Sequence, residues 1–231
     1  PQPDWRGDHR DFTKLGRPRL FFAVTSGSMD SMVNHYTAAK RLRSDDAYTP
    51  EGKAGMRPDY CTITYCNILK RLYPDVPIVI GGIEASMRRL THYDYWSDQL
   101  KPSILVDSKA DILIYGMGEK PIVAIAKQLQ QVGNIPQTAI LYESKEAIPG
   151  GITADDIMLN SHEECQRDKR AEAANFRHIE EESNKMQAAR LIQEVEGKYV
   201  VVNAPYPPMT TEELDHSFDL PYTRLPHPRY K

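Results

Sequence analysis

Two short apolar runs, Ile78–Ile80 and Ile112–Tyr115, each give way to glycines and then an acidic residue. After the first come Gly81, Gly82, Glu84 and Ser86. After the second come Gly116, Gly118 and Glu119. Glycines let a backbone approach a ligand closely, and free amides at a helix start can hold a phosphate or carboxamide. These seven are the candidate cofactor-binding residues. The same residues also suit tight turns, with Glu119 complementing a helix dipole. Gly116-x-Gly118 does not extend to a dinucleotide fingerprint, because Pro121 stands where the third glycine belongs.

A second group follows the first glycine turn: Arg88, Arg89, His92, Tyr93, Asp94, Tyr95, Trp96 and Asp98. Arginines grip carboxylates and phosphates bidentately, and His with Asp can move protons. Two readings stand. The segment borders an anionic or amide-bearing substrate, with arginine forks and an aromatic wall. Alternatively it is an interface loop with Tyr93 and Trp96 packing and its charges solvated, or its arginines pair with Asp94 and Asp98 and merely fix the loop.

Metal chemistry finds little support. Cys61-x4-Cys66 has poor spacing for a tetrahedral site and falls on an expected helix, and Cys165 stands alone. His35, His162, His178, His216 and His227 show no HxH or HxxxH pairing. No metal residues are assigned, and the three thiols read as buried structural groups. An odd cysteine count fits a reducing cytoplasm better than a disulfide scaffold. The net charge of -3 offers no basic excess for nucleic acid. No apolar run approaches the roughly 18–20 residues of a membrane-spanning helix.

The elements that would position these residues read as an α/β domain. Leu20–Thr25 is a strand, followed by a tight turn and a helix over Met32–Leu42. Arg43–Pro58 is a long polar loop. Asp59 is expected to cap a helix running to about Tyr73. Ile78–Ile80, a helix over Glu84–Leu90 with Met87 and Leu90 inward, and Ile112–Tyr115 come next. Pro121 suits a first helical turn that ends near Gly133, and Thr138–Tyr142 is a fourth strand. Strand–helix alternation implies right-handed crossovers and an open parallel sheet. Its strand ends would place both glycine loops side by side at one edge. Ser161–Glu196 reads as one long polar helix, possibly broken, and Tyr199–Asn203 as a further strand. The proline-rich Ala204–Lys231 is expected to be an extended connector without regular helix. Residues 1–151, 152–198 and 199–231 would then be an α/β domain, a helical segment, and a strand with connector. The chain reads as cut from a longer protein.

RPRLFFAVTSGSMDSMVNHYTA, RSDDAYTPEGKAGMRPDY, VPIVIGGIEASMRRLTHYDYWSD, SILVDSKADILIYGMGEK and LPYTRLPHP together resemble the YgiQ family of uncharacterised radical SAM proteins. The match runs from about Arg17 to Tyr230, with Val132–Glu196 least distinctive. The resemblance implies a 4Fe–4S cluster held by a CxxxCxxC triplet, with S-adenosylmethionine on the fourth iron position. This chain has no such triplet. The motif is expected shortly after LPYTRLPHP, so this fragment would hold neither cofactor. What remains resembles an amino-terminal, Rossmann-like domain of the cobalamin-binding type, missing its first strands. The DxHxxG element that gives cobalamin an axial histidine is absent. The leading expectation is a cytoplasmic accessory domain that shapes a substrate pocket over its own C-terminal radical SAM domain. The alternatives are a cobalamin module for methyl or radical transfer, and a protein-interaction module without a small ligand.

Overall fold

The computed structural model describes residues 2–225, so the end of the proline-rich tail, His227 included, lies outside the described residues. In chain order the elements are α1 (Arg10–Thr13), β1 (Phe22–Val24), α2 (Ser31–His35), α3 (Cys61–Leu72), β2 (Ile78–Ile80) and α4 (Gly82–Met87). Then come β3 (His92–Asp94), β4 (Gln99–Lys101), α5 (Ile104–Ser108), β5 (Ile112–Ile114), α6 (Glu119–Lys127) and β6 (Thr138–Tyr142). The chain continues through β7 (Ile157–Met158), α7 (His162–Arg167), α8 (Lys169–Ser183), β8 (Leu191–Val195), β9 (Lys198–Val202) and α9 (Thr211–Phe218).

Seven strands form one sheet in the order β1-β2-β5-β6-β9-β8-β7, and β3 and β4 make a separate hairpin. Alternation along each strand feeds two cores. Ile78, Ile80 and Leu113 face a layer built by α3 and α5, whereas Val79, Ile112 and Ile114 face Ile125 of α6. Burial on both faces explains why β2 and β5 are uninterrupted aliphatic runs.

Only part of the sheet is parallel. β1, β2 and β5 run together, but β6 is antiparallel to β5 and to β9, and β9 is antiparallel to β8. The expected parallel fourth strand is thus corrected in direction, although its bounds hold. The cause is Gln137. After α6 the chain returns to the edge it left, and the Gln137 carbonyl accepts from Tyr115 N at 3.2 Å. Its side-chain amide donates to the carbonyls of Tyr115 and Met117. β6 therefore starts beside the end of β5. α6 also stops at Lys127, and Gly133 sits in a later 3-10 turn rather than ending the helix.

The long polar helix is broken, as its sequence allowed, and its last part is corrected to a strand. Asp168 breaks it, capping α8 through Arg170 N, and Ser161 with Glu164 forms a capping box on α7. Leu191–Val195 is a strand. Glu196 and Gly197 both have positive φ, the two-residue turn that joins β8 to β9 as a hairpin. The tail likewise holds a helix, α9, started by a Thr210–Glu213 capping box. The helix expected over Met32–Leu42 shrinks to α2, because the Arg43 amide folds back onto the His35 carbonyl. Met87 points outward at 67% exposure, whereas Leu90 is buried as expected.

Asp59 does not cap α3. That end is served by Glu84, which is 1% exposed. Its carboxylate accepts from Thr62 N at 3.0 Å, from Ser31 N at 3.0 Å and from the Ser31 hydroxyl. One side chain of α4 thereby fixes the starts of α2 and α3. Removing it strands buried donors. Glu84→Ala is expected to cost about 3 kcal/mol or more in urea denaturation, and Glu84→Gln less. A loss below about 1 kcal/mol for the alanine variant would contradict this role.

Candidate functional site

The carboxyl ends of β1, β2 and β5 share one edge, and the loops Gly81–Ser86 and Gly116–Glu119 lie side by side there. Ser86 Oγ accepts from Gly116 N at 3.2 Å and joins them. Gly82 has φ +86°, and a Cβ there would stand 2.5 Å from Thr25 Oγ1. That close approach, rather than a ligand, accounts for the second glycine. Gly81, Gly82, Gly116, Gly118 and Glu119 line a cleft of about 520 Å³ floored by Ile114 and Ile122. The start of α6 borders it, with Glu119 in the first turn of that helix. Glu84 belongs elsewhere, buried between helix starts.

The second group gathers around the β3–β4 hairpin. Arg88, His92, Tyr93, Asp94, Tyr95 and Trp96 line a cleft of about 460 Å³. Arg89 and Asp98 do not. Asp94 is buried and accepts from Tyr60 Oη at 2.8 Å, Ser97 Oγ at 2.6 Å and Trp96 N at 3.2 Å. Burial pushes its carboxyl up, yet the bonds from Ser97 and Tyr60 outweigh that and hold it below the usual range. Burial, then Asp94, pushes the Tyr60 phenol up. The opposite wall comes from α2 and the turn after it. Tyr36 stacks on Trp96 with ring centroids 3.9 Å apart. Lys40 donates to the Trp96 carbonyl at 3.0 Å and lies 4.8 Å from the Tyr95 ring centre.

The arginines are committed internally, with partners other than Asp94 and Asp98. Arg88 pairs with Asp30, which also caps α2 through Met32 N and Val33 N. Arg89 donates to the Ser86 carbonyl at 2.7 Å and lies 5.0 Å from the Tyr115 ring centre. Asp98 accepts from Tyr93 Oη at 2.6 Å. Sequence reasoning missed Asp30, Tyr36 and Tyr60. Asp30 had a readable signal, an N-cap type before a helical run. Tyr36 had none, because its partner lies sixty residues away.

The described residues do not fit an iron–sulfur cluster. Among them no three His, Cys, Asp or Glu side chains gather as metal ligands. Burial pushes the thiols of Cys61, Cys66 and Cys165 each up to about 12. Cys61 Sγ meets the Pro58 carbonyl, and Cys165 Sγ accepts from Asn175. No described helix is long and apolar enough to cross a membrane.

Two measurements follow. His92 Nδ1 lies 3.1 Å from the Leu90 carbonyl, which only accepts, so Nδ1 carries hydrogen and Nε2 is the basic nitrogen. Burial pushes this imidazole down to about 4; the Leu90 carbonyl opposes the shift and Arg88 adds to it. Between the ordinary histidine value near 6.5 and about 4, the unfolded chain holds a proton that the folded chain lacks. Stability is therefore expected to fall by about 1–3 kcal/mol as pH drops through that window. His92→Gln should flatten the slope between those pH values, and an unchanged slope would locate the effect elsewhere. Anaerobic reconstitution of these 231 residues with iron and sulfide is expected to leave no stable cluster absorbance. About four irons per chain would overturn that.

A family model described as Radical SAM N-terminal matches residues 1–231. Over its full length the chain is 62% identical to a UPF0313 protein of Bacteroides thetaiotaomicron and 59% identical to one of Porphyromonas gingivalis. It is 46% identical to a UPF0313 protein of Geobacter sulfurreducens. The chain spans 40%, 37% and 38% of these relatives' lengths. No solved structure matches it.

Proposed function

The chain belongs to the radical SAM N-terminal family, and from that premise we propose that it forms one wall of a substrate pocket. The opposite wall would be the radical SAM domain carried by the remainder of the full-length chain. On this reading the 4Fe–4S cluster and S-adenosylmethionine belong to that remainder, and this chain supplies recognition and exclusion of water. The observation that carries the proposal is the cleft between the β3–β4 hairpin and α2. It combines an aromatic wall of Tyr36, Tyr95 and Trp96 with one weakly basic imidazole, a common composition for a small-molecule site. Its acidic and cationic groups are held by internal partners, so the cleft keeps its shape before anything enters.

The test uses full-length protein with its cluster reconstituted. Reductive cleavage of S-adenosylmethionine is measured with and without a small-molecule extract, which separates substrate-dependent from background turnover. Trp96→Ala and Tyr95→Ala are expected to lower the substrate-dependent part roughly tenfold or more, as loss of a desolvated aromatic contact does. Background cleavage should be kept. Equal loss of both would mean that the cleft supports the fold rather than the substrate.

A further inference from the structure

Asp30, Arg43, Arg88 and Asp94 are the charged side chains along the cleft between the β3–β4 hairpin and α2. Arg88 and Asp30 neutralise each other. Asp94 is satisfied by Tyr60, Ser97 and the Trp96 amide. Arg43 differs, because it meets no carboxylate among the described residues. Its Nε donates to the Val33 carbonyl at 3.0 Å and to the Tyr36 carbonyl at 3.2 Å. These contacts orient the guanidinium and occupy only one of its nitrogens. Arg43 is otherwise exposed, and its two Nη groups have no partner among the described residues.

A guanidinium held by Nε offers its Nη pair as a fork, and a planar carboxylate matches such a fork bidentately. The fork stands on carbonyls at the end of α2, which carry partial negative charge. One negative charge suits that place better than the two of a phosphate monoester. Lys40 adds positive charge beside the same wall, held by the Trp96 carbonyl at 3.0 Å and 4.8 Å from the Tyr95 ring centre.

Two further features bound what else a ligand would carry. Tyr95 and Trp96 supply ring surface, and Trp96 is backed by the stacked Tyr36. His92 turns Nδ1 to the Leu90 carbonyl, so Nε2 is an acceptor, and it has no hydrogen-bond partner among the described residues. A lone acceptor on an aromatic wall is matched by an O–H or N–H of the ligand. The volume of about 460 Å³ lies towards the low end for small-molecule sites, which suits one ring or two fused rings rather than a dinucleotide.

We infer, resting on the reading of this cleft as the substrate wall, that its substrate class is a small aromatic carboxylate. Arg43 takes the carboxylate, Tyr95 and Trp96 take the ring, and His92 Nε2 accepts from a hydroxyl or N–H on it. None of the internal pairs of Arg88, Asp30 or Asp94 has to break.

Calorimetric binding to full-length protein tests the class. The probes are meta- and para-hydroxybenzoate, their uncharged amides, benzoate and phenyl phosphate. The better hydroxybenzoate is expected to bind at least roughly tenfold tighter than its amide, the size of one charge-assisted pair. Arg43→Met should abolish that difference while keeping amide binding, which shows that the variant is folded. Arg43→Lys, which keeps the charge and loses the fork, should recover only part of it. His92→Leu should abolish the preference for hydroxybenzoate over benzoate. The class is overturned by equal affinity for acid and amide, by an unchanged preference in Arg43→Met, by tighter binding of phenyl phosphate, or by no binding of either hydroxybenzoate below about 10 mM. The cleft itself is judged separately. If Trp96→Ala still removes substrate-dependent cleavage of S-adenosylmethionine, a failed probe series refutes the carboxylate and leaves the wall standing.

Discussion

A buried carboxylate needs donors, and the arrangement around Glu84 follows from where it finds them. It takes two backbone amides and one hydroxyl, at the starts of α2 and α3. Each of those helices has orphan amides at its start that need an acceptor. The carboxylate and the two helix ends therefore satisfy one another, with no cation required. The consequence spreads outward. With α2 fixed, Asp30 at its cap meets Arg88 one turn along α4 from Glu84. With α3 fixed, Asp59 just before it is free of capping and accepts from His35 Nδ1 and Tyr36 Oη. That anchors the ring that stacks on Trp96. The aromatic wall of the cleft is thus three links from a glutamate that never reaches it.

This geometry explains what could be read from residues alone. β2, β5 and β6 were legible because strands buried on both faces, or on a wide core, are written as local apolar runs. The side-by-side glycine loops were legible because parallel neighbours share an edge. The β8–β9 hairpin was not. Its strand sequence LIQEV follows a polar helical stretch rich in good helix formers, and only Glu196-Gly197 marked the turn. Gln193 is buried in that strand because its side chain accepts from Thr91 N and donates to the Asn160 carbonyl. Those partners come from distant segments that no local pattern announces. The role of Glu84 was misread for the same reason: an acid after a glycine turn suggests a ligand loop, and the helices it serves lie elsewhere in sequence.

The long polar loop after α2 has a similar logic. Arg57 and Asp46 form a buried ion pair at 3.0 Å, and Arg57 also donates to the Ser26 carbonyl at 3.1 Å. A buried pair is weak evidence for stability but strong evidence for a fixed geometry once its remaining donors are used. Here the spare donor goes to the turn after β1, so a loop of irregular backbone is tied to the same sheet edge as the glycine turns. Asp46, Thr49 and Arg57 of this loop are spent on internal contacts, while Arg43, Ser44, Asp45, Glu51 and Lys53 stay exposed.

The same accounting narrows what the hairpin cleft can recognise. A cluster of two arginines, a histidine and two aspartates reads as a site for a charged ligand. Folded, Arg88 is neutralised by Asp30, Arg89 is turned onto a carbonyl and a ring, and Asp94 and Asp98 accept from phenols. Breaking the Arg88, Arg89 or Asp94 contacts to bind an anion would leave a buried or half-buried partner unsatisfied, which costs more than a new surface contact returns. The imidazole of His92 holds no charge near neutral pH, because burial has pushed it down to about 4. What is left along the cleft is aromatic surface, the Met87 and Val33 side chains, one neutral nitrogen acceptor and the exposed Arg43 guanidinium, whose Nε donates to the carbonyls of Val33 and Tyr36. On the proposed reading such a surface would favour shape and stacking. The charged residues Arg88, Arg89, Asp94 and Asp98 are then the framework, and the uncharged ones between them would carry the recognition.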